Sequence, residues 1–564
     1  MSDSQATAIT GELLPVQAAE RIHALDIVRG FALIGIFLMN VEWFSRPITE
    51  LGTGVNASLT GMDYVASWFI YTFVQGKFWT MFSLLFGMGF AVMLGRAETT
   101  ERSFVAPYIR RIIGLFLFGS AHFVFVWTGD ILHNYAVTAI FLLLISTNSW
   151  KTAFGILLSC FITGTVVMAM GKQDWSEPFF MYGSLTMVSG LLVFRDPFYR
   201  YIAPRWKLLL GILLALVAGI VGLAVAFPEQ TGGPMKAGPI AGGVVVVLVV
   251  IALLMNKLNK DAIARYWKWG VLLYSLPFFL GLVGLGIQSA KQHFAPPQEQ
   301  SAAATPADPA KAKAEAEKKA EEAKQKAENE KRQAERKAER AKETAEEIRL
   351  YTKGSYWESV VHRAKRYQED AIFAGGLGFL ALPMFLIGFW FVRSGVIGNI
   401  RENLPLFRKL SFTALPIGLA MTLTAVSLHS SFLNVDWTQN SPRVAQTLFQ
   451  WGMMPLSIGY VAVLICLIYT DLGQKLLSPL RYAGQMALTN YIGACAIGMW
   501  YFSGYGLGQW GEVSRAWQIV FVFAVFAVQL LFSMWWLSKF RYGPLEWVWR
   551  AITYWQLPPL RRTA

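Results

Sequence analysis

The chain has 564 residues, of which 54% are hydrophobic, 14% aromatic and only 15% charged, and its mean hydropathy is +0.41. At roughly 150 residues per domain that length would make three or four soluble domains, but so apolar a composition excludes a water-soluble array, a disordered chain and a collagen-like repeat. Three Cys cannot staple a secreted scaffold of this size, so the expectation is an all-α, polytopic membrane helix bundle.

Residues 1–22 are expected as a polar cytoplasmic tail, and the first apolar stretch, Ala24 to Phe44, carries Asp26 and Arg29 with no cleavage site behind it. It reads as a retained span and not a signal peptide. A hydrocarbon core about 30 Å thick needs roughly 20 apolar residues per helix, and about fourteen segments approach that length. After the first come Phe78 to Leu94, Arg111 to Trp127, Asp130 to Ser146 and Ala153 to Met170, closing a five-span bundle over 23–171. Residues 172–289 add about four more: Phe179 to Phe194, Leu208 to Phe227, Gly238 to Met255 and Trp269 to Ile287. The last five, over 371–564, are Ala371 to Val392, Phe412 to Leu428, Thr447 to Tyr469, Met486 to Phe502 and Trp517 to Leu537. The thiols of Cys160, Cys466 and Cys495 fall inside these runs and read as small hydrophobes.

Lys and Arg collect in cytoplasmic loops of membrane proteins. With the N-terminus inside, the inner loops hold the clusters at Arg96–Arg111, Arg195–Lys207, Lys257–Lys268, Arg393–Lys409 and Lys475–Arg481, and the tail adds Lys539, Arg541, Arg550, Arg561 and Arg562. The short outer loops hold Arg46, Lys77, Lys172, Lys236, Arg443 and Arg515. Both termini are therefore expected in the cytoplasm of a bacterial inner membrane. The net charge of +14 lies mainly in those inner loops and faces anionic lipid, which accounts for it without nucleic acid as a partner.

Residues 290–370 break the pattern with an Ala, Lys and Glu composition. Ala316, Ala320, Ala323, Ala327, Ala334, Ala338, Ala341 and Ala345 recur at helical spacing, so an extracytoplasmic helix is expected, either single and solvated with i,i+4 Glu/Lys pairs or as an Ala-seamed hairpin or coiled coil. It offers a surface for an envelope partner or self-association.

Ionisable groups at membrane depth are expensive and mark candidate sites. Asp26, Arg29 and Asn40 share one face of the first span at 100° per residue. Either Asp26 caps the helix while Arg29 snorkels, or the pair forms an anion site at the inner mouth. A second constellation, His122, Asp130, His133, Asn134 and Tyr135, straddles the third and fourth of the expected spans. An embedded His near an Asp can shuttle protons or act as a general base; a lone one can simply bond a neighbouring helix. The spacing of His122, Asp130 and His133 matches no zinc signature, so no metal is expected.

The opening R-I-x-x-L-D-x-x-R-G-x-A-L-x-G-I (Arg21 to Ile36) resembles the YeiB-like bacterial membrane proteins, as do Lys77 to Gly89, Arg110 to His122 and W-T-G-D-I-L from Trp127. G-Q-M-A-L-T-N-Y (Gly484 to Tyr491) and G-P-L-E-W-V-W-R (Gly543 to Arg550) are similar to the hallmark of domain of unknown function 418. The resemblance covers roughly 20–171 and 351–555, leaving 172–350 as an insertion. That family is distantly similar to transmembrane acyltransferases, the heparan-glucosaminide N-acetyltransferases and the acyltransferase-3 group, which share the L-D-x-x-R-G opening. The resemblance implies acyl transfer from a cytoplasmic acyl-CoA-type donor to a small-molecule, glycan or lipid acceptor. Arg29, aided by Arg110 and Arg111, would then hold the phosphates of the donor through its fixed fork of donors, with Asp26, able to pair with Arg29, in the same donor-binding set. The loop from Val41 to Met62 lacks the His of the glucosaminide enzymes, and Asn40 stands where acyltransferase-3 proteins have theirs. His122, oriented by Asp130, is thus the expected base, with Asn40 donating to the oxyanion. Lys77, Trp127, His133 and Tyr135 are the expected substrate contacts. The competing expectations are a proton-coupled transporter or flippase using the same groups, and an envelope scaffold using the outer helix.

Overall fold

The structure, a computed structural model, describes residues 22–51, 55, 58–147, 149–170, 173–193, 257–293, 309–371, 376–429 and 441–562. The described residues form an all-helical bundle in which eight helices are long and apolar enough to cross a membrane. Two expected spans, Leu208 to Phe227 and Gly238 to Met255, lie outside the described residues. Every other one coincides with a helix, though not every helix is of spanning length.

The first half comprises α1 (His23–Asn40), α2 (Gly61–Phe73), α3 (Lys77–Thr99), α4 (Val105–Phe125), α5 (Leu132–Thr147), α6 (Trp150–Ala169) and α7 (Gln173–Val193). Helix α2, which sequence left between spans, is joined to α3 by a break at Val74–Gly76, where Gly76 takes φ +83°. That left-handed region is disfavoured for residues with a Cβ. Three side chains attend to backbone carbonyls on the two sides of the break. Lys77 Nζ donates to Tyr71 O at 3.1 Å, Tyr460 Oη donates to Phe73 O at 2.9 Å, and Ser457 Oγ donates to Lys77 O at 2.6 Å.

The second half comprises α8 (Ala264–His293), α9 (Pro309–Lys353), α10 (Tyr356–Asp370), α11 (Gly378–Arg393), α12 (Leu404–His429), α13 (Ser441–Ile468), α14 (Asp471–Leu477), α15 (Leu480–Gln485), α16 (Ala487–Phe502), α17 (Arg515–Lys539) and α18 (Pro544–Tyr554). The largest core cluster joins α1 and α3 to α13, α16 and α17, and a second joins α3, α4 and α5 to α11. Helix α1 meets α15 backbone to backbone. A Cβ on Gly484 would overlap the Asp26 carbonyl oxygen, and one on Gly30 would overlap that of Leu480. Helices α5 and α11 have 16 residues each, a rise of about 24 Å, short of the roughly 30 Å hydrocarbon core.

The charged segment forms one continuous helix, α9, of 45 residues, about 67 Å long. Its described residues from Lys324 to Glu343 are exposed, with pairs such as Arg332–Glu328 at 2.7 Å. The chain then turns at Gly354 into α10, which opens on a capping box between Ser355 and Glu358. The base of α9 is docked: Tyr351 stacks on Trp510 at 5.0 Å, its carbonyl accepts from Gly504 N at 2.7 Å, and Thr344 and Thr49 share a hydrogen bond of 2.7 Å.

Candidate functional site

A cavity of about 320 Å³ opens among α1, α3, α4, α5, α16 and α18. Its mouth carries Asp26, Arg29, Arg111, Glu546 and Arg550, and its walls are apolar, with Leu85, Phe86, Met93, Leu115 and Leu132. Arg29 Nη1 bonds Asp26 Oδ1 at 2.6 Å and approaches Gly484 O at 3.4 Å. Arg111 lies over the Trp549 ring at 4.1 Å, and Trp549 Nε1 donates to Arg111 O at 2.9 Å. Three guanidinium groups against two carboxylates leave the mouth cationic. Arg110 is turned away from the cavity, donating from Nε to Thr553 O at 3.1 Å and so fastening α18 to α4.

Glu546 has a structural task at that mouth. Its carboxylate accepts from Leu488 N at 2.6 Å, Thr489 N at 3.0 Å and Thr489 Oγ1 at 2.7 Å. The two amides are donors that an N-terminus leaves without intrahelical partners, so a residue of α18 caps α16.

Away from the mouth, Asp130 is wholly buried between two imidazoles. Its Oδ1 lies 2.9 Å from His122 Nδ1, and its Oδ2 lies 2.8 Å from His133 Nδ1 and 2.9 Å from His133 N. An ionised carboxylate only accepts, so the network assigns the proton to Nδ1 of both rings. His133 Nε2 is then an acceptor, met by Asn134 Nδ2 at 3.2 Å. His122 Nε2 is also an acceptor, but it is buried with no hydrogen-bond partner among the described residues. Of the two bases, one is satisfied and one is open.

Tyr491 joins the two regions. Its ring sits 5.1 Å from that of His122, and it lines both the main cavity and a smaller one beside Asn40, Asn490, Cys495 and Gln529. Its hydroxyl, too, lacks a partner among the described residues. Tyr135 lines the main cavity while donating to Trp79 O at 2.5 Å and accepting from Ser83 Oγ at 2.9 Å.

Of the residues expected from sequence, Asp26, Arg29, Arg111 and Tyr135 share the cavity, Asn40 lies on the smaller one, and His122, Asp130 and His133 form a buried centre beside Tyr491. Lys77 and Trp127 stand apart. Lys77 is fully buried at the α2–α3 break with its ammonium 3.9 Å from the Phe449 ring centroid, and Trp127 packs edge-on against Phe44 at 4.9 Å. Tyr491, Glu546 and Arg550 also line the cavity, although sequence offers them only as members of the two C-terminal motifs. Glu546 and Arg550, three and seven residues after Gly543, mark one face of an amphipathic helix.

The model of the family described as "Protein of unknown function (DUF418)" matches residues 391–556. The chain is similar to the uncharacterized protein YxaH of Bacillus subtilis (strain 168), 23% identical over 98% of both chains. It is also similar to the uncharacterized 39.9 kDa protein in the amylase 3' region of Bacillus acidopullulyticus, 23% identical over 96% of both. The uncharacterized protein YeiB of Escherichia coli (strain K12) is 32% identical over 36% of this chain and 53% of its own. No solved structure matches the chain. By these matches the chain belongs to the DUF418/YeiB-like family of polytopic membrane proteins.

Proposed function

We propose that this protein is an integral-membrane acyltransferase that takes an acyl group from an acyl-CoA-type donor at the Arg-lined mouth. The observation that carries the reading is His122: Nδ1 is anchored by a buried carboxylate, Nε2 is open, and one aromatic ring separates it from a cation-mouthed cavity. Such a dyad is the arrangement of a general base.

In the reaction, a hydroxyl or amine of the acceptor adds to the thioester carbonyl as its proton passes to His122 Nε2. Collapse of the adduct breaks the carbon–sulfur bond, and His122 returns the proton to the departing thiolate. Asp130 stabilises the imidazolium meanwhile, and Asn40 serves the oxyanion through the smaller cavity. Arg29, Arg111 and Arg550 receive the phosphates, for which a planar fork of donors suits better than a point charge. Turning the Tyr491 side chain connects the cavity to the base. The positive-inside pattern puts the Arg mouth in the cytoplasm and α10 on the far side, where a glycan or lipid acceptor is met.

The test is transfer of radiolabelled acyl groups from acyl-CoA to membrane extracts by the full chain in nanodiscs. His122→Ala is expected to lower kcat by roughly 10²- to 10⁴-fold with little change in donor KM, and Arg29→Ala to raise donor KM. Unchanged product with His122→Ala excludes the mechanism. The break between α2 and α3 favours a second reading, transport, because interrupted helices with buried charge often form the substrate paths of transporters. Uptake or flipping driven by a proton gradient, with the substrate recovered unmodified, selects it.

A further inference from the structure

Beyond the cavity, the molecule holds one more cation whose burial calls for a purpose. Arg363 on α10 is 0% exposed and, among the described residues, makes no ion pair. Its Nε donates to Val124 O at 2.8 Å, its Nη2 approaches Phe125 O at 3.3 Å and its Nη1 approaches Tyr351 Oη at 3.4 Å. Val124 and Phe125 end α4 two and three residues after His122.

The acceptor oxygens at the end of α4 show why an outside donor is needed. The His122 carbonyl is taken by Val126 N and Trp127 N, both at 2.9 Å, so the chain leaves the helix and supplies no further intrahelical donors to Val124 and Phe125. Arg363 and Tyr356, whose hydroxyl donates to Phe125 O at 2.9 Å, fill that place. The C-terminal dipole of α4, worth about half a negative charge, offsets the buried guanidinium. One turn further along α10, Tyr367 bonds Ser120 at 2.5 Å and its ring meets that of His133 at 5.8 Å. One short helix therefore touches residues 120, 124 and 125 around His122 and leans on the second imidazole.

We propose that Arg363 is a positioning residue for His122: by holding the carbonyls that close α4, it fixes the turn from which the imidazole projects toward Asp130. Helix α10 thereby completes a centre otherwise built from α4 and α5. The proposal rests on the reading of His122 as the reacting base, but its geometry is testable without turnover.

The experiment compares wild type, Arg363→Gln and Arg363→Lys as full chains in nanodiscs. It follows diethyl pyrocarbonate modification of His122 by peptide mass spectrometry, with exposed His23 at the opposite end of the bundle as internal reference. Arg363→Gln is expected to speed His122 modification at least about tenfold relative to His23. Arg363→Lys, which keeps the charge but serves one carbonyl, falls between the two. Where wild type transfers acyl groups, kcat drops in the same order while donor KM stays within about twofold. A His122 rate in Arg363→Gln equal to wild type, with only the unfolding temperature lowered, overturns the proposal and leaves Arg363 as a helix cap. Should Arg363→Gln not fold, Tyr356→Phe removes a single hydroxyl from the same carbonyl; a smaller rise of the same sign supports the proposal, and no rise counts against it. Absence of acyl transfer by wild type would sink the acyltransferase reading without touching the modification result.

Discussion

Asp130 works as an acceptor on every side, and that sets what a one-atom change would do. In Asp130→Asn the amide nitrogen faces the Nδ1–H of one imidazole, so one ring must adopt the other tautomer or lose its bond. Transfer is expected to fall by on the order of 10³- to 10⁴-fold, the scale known for an Asp→Asn change behind a catalytic His, with ¹⁵N shifts of the imidazoles reporting the altered tautomer. A wild-type tautomer pattern in that variant would refute the network described above. The link between His122 and Asp130 was legible in sequence, because eight residues and a turn between two spans bring the pair together. The role of Lys77 was not. A lone Lys in an apolar run suggests a ligand contact, whereas its ammonium bonds the last turn of α2, and the nearest clue was the adjacent Gly76. Arg363 was wholly illegible, since the two carbonyls it holds lie 239 and 238 residues away on a surface that no local pattern specifies.

At the scale of helices, the contact between α1 and α15 depends on hydrogen atoms where other residues carry a Cβ. Gly484→Ala is expected to destabilise the bundle by about 1–3 kcal/mol and to disturb the Asp26–Arg29 pair, as measured by thermal unfolding and donor affinity. Glu546→Ala strips three bonds from the start of α16. Its expected cost is about 1–3 kcal/mol, with faster hydrogen exchange at Leu488 and Thr489. The base of α9 carries a pH dependence. Glu347 is buried with Oε1 accepting from Ile48 N at 3.0 Å, and burial pushes its carboxyl up from the ordinary value, opposed by that hydrogen bond and by the charge of Arg366. Since the folded value exceeds the unfolded one, its contribution to docking is full at pH below the unfolded value and is lost as pH rises through the folded one. Protection against hydrogen exchange at the foot of α9 should therefore weaken as pH rises through the folded value, beyond the intrinsic pH dependence of exchange, and Glu347→Gln should abolish that change. Sequence placed the long apolar helices because length and hydropathy are local properties. It did not separate α2 as a helix, because Asp63, Ser67 and Tyr71 dilute its apolar character; Asp63 in fact accepts from Ala516 N at 2.9 Å, at the start of α17.

For the whole molecule, the positive-inside rule sets the expectation that the Arg-lined mouth faces the cytoplasm and α9 the far side. Excising the exposed part of α9, residues 324–343, with its docked base retained, is expected to leave thermal unfolding and His122 protection unchanged. A loss of either would assign the exposed part a role in the bundle. The break at Gly76 bears also on how the protein is made. Ser457 and Tyr460 are translated 380 and 387 residues after the groups they bond, a delay of roughly 20 to 80 s at ribosomal speed. During that interval the Phe73 carbonyl of the nascent α2–α3 pair is without its Tyr460 donor and the Lys77 ammonium without the Phe449 ring. Chains truncated before α13 should accordingly be prey for membrane proteases, and biogenesis should depend on an insertase that shelters the half-built pair.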